Sequence, residues 1–447
     1  MVTEPAAPVS QWRRPIGLPP RETTSRVNAE VLAEHVDDAA AGWRRRTHFV
    51  KAPHVRLHHL ARADNRLFAH LAGVRAAGEA GWHVVRASLD SGDAGNVFVL
   101  SWIAFVDGKP DRMHDALPVL LAESQYTDAG VGALASIAPV RLHESLLRLS
   151  ESSHPAHRRL ALAVYALQRR APGALLSRAL ADADPLLRAR ALRAIGELGR
   201  QDLIGPAIKA LHDADAGCRV SAAGSLLILG GPGEVPLAVQ AVQADLAVLP
   251  DARRRWLLEC CIRASASPAA RAQVRELAGD ANSLRAAVIA AGAHGDPVAV
   301  PWLIERMSEP VLARAAAEAI ALITGADLES SALKAAGPGE IAPGSMETGD
   351  DENAADAVAE REDGNLPHPD PVGFRAWWQA NAGRFRTGSR YIAGRPTESL
   401  SGCLGVLREG TQRQRRAAAF EMARLCPGTP LFAVDAFSLR QRRELGR

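Results

Sequence analysis

The chain has 447 residues, 47% of them hydrophobic but only 4% aromatic, so alanine and leucine must fill any core. That length allows two or three ordinary domains or one long array, and the composition is that of closely stacked helices, not of a β-sandwich. A net charge of +3 implies no global attraction to nucleic acid or membrane.

Residues 1–20 hold five prolines and no basic-then-apolar leader, so an irregular lead-in is expected. A helical region should follow over 21–125. Asn28 suits the cap of a helix from Ala29 to about Phe49, with Val31, Leu32, Val36, Ala39, Ala40 and Trp43 as its apolar stripe. Arg44, Arg45 and Arg46 then complement the helix dipole as a cationic last turn; a nucleic-acid contact is the alternative. His54 and His58, four apart, could present two imidazoles to a metal, but no third ligand is placed. Leu57, Leu60, Leu67, Leu71 and Val74 share one helical face. Gly78 and Gly81 break the next stretch before Trp82, and Asp107-Gly108-Lys109-Pro110 reads as a turn. The longest apolar run, Val97 to Val106, is too short to span a bilayer.

An array of helix pairs is expected over 126–325. Its clearest copies lie between Asp182 and Gly230, where Asp184, Arg188, Ala191, Ile195, Leu198 and Gly199 return 31 residues on as Asp215, Arg219, Ala222, Leu226, Leu229 and Gly230. A period of that length with two helices per unit signals an α-solenoid. Asp184 and Asp215 suit the N-cap, and Pro185 the first helical position. Ala191 and Ala222 let a neighbouring helix approach, and Gly199 and Gly230 should end their helices in the left-handed conformation. Six pairs can be laid out from Val140 to Gly325, beyond the roughly three that a solenoid needs.

The charge then separates. From Ala326 to Pro371 there are twelve acidic side chains against Lys334 and Arg361, with no apolar period, which predicts a disordered linker, or else an acidic docking peptide. From Val372 onward fourteen arginines face five acids. This basic part should hold a helix pair at about Glu398–Arg408 and Gln412–Leu425, serving as a final capping repeat. Its arginines and aromatics could contact nucleic acid or receive the acidic linker.

The Asp182–Gly230 pattern resembles the short HEAT-like repeats of bacteria first noted around phycobilisome lyase subunits, which implies an all-α solenoid. His70–Trp82 and Arg390-Tyr391-Ile392-Ala393-Gly394-Arg395-Pro396 resemble the "AHL-GLR-AGEAGW" and "RYL-GRP" segments of a family of bacterial HEAT-repeat proteins. Ala72 and Val74 depart from it, where an acidic residue and a leucine are expected. The resemblance implies an association with type VI secretion spike and PAAR-type components.

No Walker loop, nucleophile elbow or zincin motif is present, and Leu229-Gly230-Gly231-Pro232-Gly233 follows a helix without a phosphate-binding lysine. His143-Glu144 is the dyad type of HEAT-fold di-iron hydroxylases, but it occurs once. No catalytic residue, cofactor or metal is therefore expected. Five cysteines without CxxC spacing point to free thiols in a reducing compartment, and the expected location is cytoplasmic, away from any membrane. The expected role is a protein-binding scaffold or adaptor, an accessory or chaperone whose partner is a secretion spike or effector component. Nucleic-acid binding through the arginine-rich C-terminal part is the alternative, and a HEAT-like lyase or hydroxylase a second. Candidate partner-binding residues are Arg188, Arg219 and Arg314 in the repeats and Trp377, Trp378, Arg390 and Arg395 beyond them.

Overall fold

The computed structural model describes residues 28–90, 92–245, 251–335 and 363–446. The expected lead-in over 1–20 and the middle of the acidic stretch, 336–362, lie outside the described residues.

The fold is an all-α solenoid. It opens with α1 (Ala29–Phe49), α2 (Leu57–Ala76), α3 (Glu79–Ala87) and α4 (Ala94–Val106). Asn28 caps α1 as expected, its side chain accepting from the Glu30 N–H, and the apolar stripe is buried except for Val31. His54 falls in the turn before α2, so it does not share a helix face with His58. Residues 95–106 of α4 are buried all round, the condition of a helix enclosed by others.

Helix pairs follow: α5 (Pro110–Ala122) with α6 (Ser124–Ser136), α7 (Pro139–Glu151) with α8 (Pro155–Leu167), and α9 (Ala174–Leu180) with α10 (Pro185–Glu197). Next are α11 (Ile204–Ala210) with α12 (Ala216–Leu229), and α13 (Glu234–Asp245) with α14 (Asp251–Ala264). The last are α15 (Ser267–Ala278) with α16 (Leu284–His294), and α17 (Val300–Arg306) with α18 (Pro310–Thr324). The even-numbered helices from α4 to α18 each pack on the next, and the odd-numbered ones from α5 to α17 pack on their even-numbered neighbours. The stack thus reaches upstream of residue 126, which lies inside α6. The sequence hid this because α6 has small residues (Ala129, Gly130, Gly132, Ala133) where a repeat would show its leucines.

The repeat residues act locally as their chemistry requires. Asp184 accepts from the Leu187 N–H at 2.8 Å and Asp215 from the Cys218 N–H at 2.8 Å, and Ala191 and Ala222 are fully buried. Gly230 departs from expectation: its φ of −73° is not left-handed. Closeness selects glycine there, since a Cβ would come within 2.6 Å of the Leu226 carbonyl oxygen.

The C-terminal part holds the expected helix pair and packs along the array. After the helix Pro371–Asn381, a hairpin of β1 (Tyr391–Ile392) and β2 (Arg395–Pro396) leads into helices Leu400–Glu409, Gln412–Leu425 and Ser438–Glu444. The helix Gln412–Leu425 buries residues on all its faces, among them Arg415, Ala418, Phe420 and Glu421. Both ends of the array reach it. Its Gln412 N–H donates to the Val55 carbonyl ahead of α2, Gln414 donates to Ala321 of α18, and Phe420 and Ala423 join the core around α12. The solenoid therefore curls around this central helix.

The same segment crosses the C-terminal ends of the even helices. Arg440 donates to the Leu167 carbonyl of α8, the Leu431 N–H to Glu197 of α10, and Arg424 to Leu227 of α12. Arg390 donates to Arg263 of α14 and His294 of α16, and the Ala393 and Gly394 N–H groups to Leu322 and Ile323 of α18. The last carbonyls of a helix lack intrahelical donors and carry the negative end of its dipole. Arginines and backbone amides of this segment, a strap running from Arg390 to Arg440, supply what these ends lack. At Gly295 and Gly325, both left-handed, a Cβ would lie 2.6 and 2.8 Å from strap carbonyls, so only a bare α-carbon admits the crossing.

Candidate functional site

Most of the candidate arginines are engaged within the fold. Arg158 pairs with Asp182, Arg188 with Asp213 and Arg219 with Asp245, at 2.6, 3.0 and 2.6 Å. Each guanidinium also donates to the two backbone carbonyls preceding its own helix cap, as Arg188 does to Asp182 and Ala183. Asp182 and Asp213 further accept the N–H of the next capping aspartate. These bonds lock each repeat to the next. Arg314 donates to His368 at 2.7 Å, and Arg395 pairs with Glu409 at 2.6 Å. Arg390 bridges two helix ends and Glu421. Trp377 and Trp378 are half-buried against the core of α16 to α18.

Other arginines of the basic part turn inward as well. Arg415, wholly buried, donates to the Leu407 carbonyl and to Gln412 and Gln441, and burial brings its pKa down to about 10. Arg413 pairs with Glu318 of α18. The described ends of the acidic stretch also fold onto the body, with buried Asp363 pairing to Arg285 at 2.5 Å. Neither segment is a free charged tail over its described residues.

A recess lies elsewhere. Between α1, α4, α6, α8, α10 and the helix Ser438–Glu444 opens a cleft of about 1210 Å³. Its inner wall is apolar, with Trp43, Phe68, Trp102 and Phe437, and Trp43 is stacked on Phe98 at 4.1 Å. Nine arginines line it, from Arg46 on α1 to Arg443 near the chain's end, against Glu123, Asp128, Glu197 and Asp435. Glu197 accepts from Arg190 at 2.8 Å and Arg193 at 2.9 Å. Burial opposes its ionisation, but Arg190, Arg193 and Arg169 outweigh that and bring its carboxyl down to about 2. Desolvation raises the Asp128 carboxyl, with Arg193 the strongest opposing charge.

Arg141, Arg159, Arg170 and Arg443 make no ion pair among the described residues, although Arg170 lies over the Tyr165 ring at 5.6 Å. Arg170 Nη1, Arg190 Nη1, Gln168 Oε1 and Trp102 Nε1 are buried and without hydrogen-bond partners among the described residues. The described lining holds no histidine, cysteine or lysine. Such a set can hold anionic and apolar groups together, but it presents no nucleophile paired with a base. This cleft is invisible in any stretch of the sequence, because its lining is drawn from positions as far apart as Trp43 and Arg443.

No group of three or more His, Cys, Asp or Glu able to hold a metal occurs among the described residues. The five cysteines are free thiols and burial pushes Cys218 up to about 12, the range of an inert thiol. No described helix is long and apolar enough to cross a membrane.

Stacked helix pairs, aspartate caps and an inter-repeat arginine ladder together define an α-solenoid. Residues 171–259, from α9 into α14, match the family of HEAT repeats. No curated protein matches the chain. HEAT repeats commonly act as protein-interaction scaffolds and are typically non-catalytic.

Proposed function

We propose that this protein is a non-catalytic scaffold or adaptor that holds another protein. The observation that carries it is the open cleft beside the first repeats, on a solenoid whose inner face is filled by its own central helix. Solenoids bind partners along surfaces that successive repeats build together, and here the cleft is the recess left for one. The resemblance of His70–Trp82 and Arg390–Pro396 to proteins near secretion genes suggests a type VI secretion spike or effector component as partner, in a bacterial cytoplasm. Those segments have structural duties too: Trp82 is buried beneath Arg112, and the hairpin around Tyr391 crosses the ends of α16 and α18.

The test is purification of the tagged full chain from its host at moderate salt, with and without nuclease, followed by mass spectrometry. One or two stoichiometric proteins that survive nuclease are expected. Nucleic acid alone, lost on nuclease treatment, would overturn the scaffold in favour of nucleic-acid binding.

A further inference from the structure

We infer that the cleft beside α8 and α10 is the docking site for an acidic peptide segment of the partner that also carries apolar side chains. This rests on the scaffold proposed above and specifies which surface it uses and what chemistry it selects. At about 1210 Å³ the cleft exceeds the usual small-molecule pocket of roughly 300–1,000 Å³ and has room for several residues of extended chain.

Charge fixes the sign of the occupant. The guanidinium groups of Arg141, Arg159, Arg170 and Arg443 have no carboxylate partner among the described residues, while Glu197 is already shared by Arg190 and Arg193. Asp128, Asp435 and Glu123 leave the lining arginines in clear excess. Every lining cation is an arginine, whose planar fork matches a carboxylate in two parallel hydrogen bonds. Buried Arg170 Nη1 and Arg190 Nη1 still lack acceptors, and native interiors rarely leave such donors unmet.

Apolar exposure narrows the occupant further. Leu186 on α10 and Leu439 on the helix Ser438–Glu444 are 58% and 61% exposed and both line the cleft. A small polyanion would satisfy the arginines and leave both leucines wet. A peptide with acidic and apolar residues covers both. Single-stranded nucleic acid fits less well, because it needs open aromatic faces to stack its bases, and Trp43 and Trp102 are buried.

The experiment pans a displayed random-peptide library against the full chain, then measures synthetic winners by fluorescence anisotropy. The comparison is Arg141→Glu/Arg443→Glu, whose two positions are exposed and unpaired, so circular dichroism and melting should match the parent. Winners rich in Asp and Glu beside Leu or Phe are expected, with affinity falling about tenfold or more in the variant and on raising salt. Leu186→Ser/Leu439→Ser should weaken them without altering the salt dependence. Winners lacking acidic residues, or acidic winners that bind the charge-reversed variant equally well, would overturn the assignment. So would thermal stabilisation by tripolyphosphate with no acidic peptide selected. If the partner purified from the host still binds the charge-reversed variant, the scaffold stands and this use of the cleft falls. If neither partner nor peptide is retained, both fall.

Discussion

Asp64→Ala should be among the most damaging single changes to the fold. Asp64 and Arg46 are 3% and 5% exposed at the side chain and meet at 2.8 Å. The second carboxylate oxygen of Asp64 accepts the Ser438 N–H at 2.7 Å, and Arg46 also donates to the Asp435 carbonyl and lies 4.0 Å from the Phe437 ring centroid. Alanine would strand a desolvated guanidinium, an effect of about 3–5 kcal/mol, and would also orphan a buried N–H. Against a typical stability of about 5–15 kcal/mol, a loss near 4 kcal/mol is a large fraction. Arg46→Met/Asp64→Leu should recover much of it, because well-packed apolar pairs often replace buried ion pairs at little net cost. Urea denaturation of both singles and the double, closed as a thermodynamic cycle, gives the coupling. Hydrogen exchange over 432–446 should rise in Asp64→Ala ahead of the repeats. A loss below about 1 kcal/mol, or uniform exchange across the chain, would refute the claim that this pair anchors the strap to α1 and α2.

Three further outcomes follow from the repeats and the cleft wall. Arg188→Ala and Arg219→Ala should each lower the urea midpoint; because Asp213 accepts from both, the double variant should deviate from additivity in urea melts. Glu197, with its carboxyl near 2 instead of 4.5, contributes stability that is present above pH 4.5 and lost as the pH falls toward 2. Buried His294 is held neutral, its pKa lowered to about 4 by burial and Arg390, so its contribution is lost between pH 6.5 and 4. Acid unfolding of Glu197→Gln and His294→Asn should each flatten one of these windows. Gly132→Ala places a methyl group 2.1 Å from the Trp43 ring and should destabilise by about 1–3 kcal/mol, read by melting and tryptophan fluorescence.

How much the sequence revealed depends on the range of the interaction. Asp184 caps its own helix three residues on, and Arg188 reaches an aspartate 25 residues away in the next repeat, so a 31-residue echo betrayed both. The repeat pairs from α7 to α18 were legible for the same reason. The strap was not. Its arginines answer backbone carbonyls at helix ends, and a carbonyl adds no charged letter to the sequence. The excess of positive charge beyond Val372 therefore looked unmatched and invited a nucleic acid as counterpart, or the acidic stretch, whose Asp363 does lie 3.5 Å from Arg413. Trp377 and Trp378 looked like a contact surface, yet they cover the last repeats. The cleft was hidden by separation alone, since no local window contains both Arg141 and Arg443.

The strap changes how such an array can fold and give way. In an ordinary solenoid each unit feels only its neighbours, so one end can fray while the other stays intact. Here one segment is bonded to helix ends from α8 to α18, and the helix it carries also touches the turn ahead of α2. Repeats far apart in the stack thus share a common fastener, and the array should melt as one cooperative unit. The fastener also follows the repeats in chain order, so during synthesis the stack emerges before the piece that locks it. A growing chain would pass through a looser, open crescent before the segment from Arg390 to Arg440 pulls it shut.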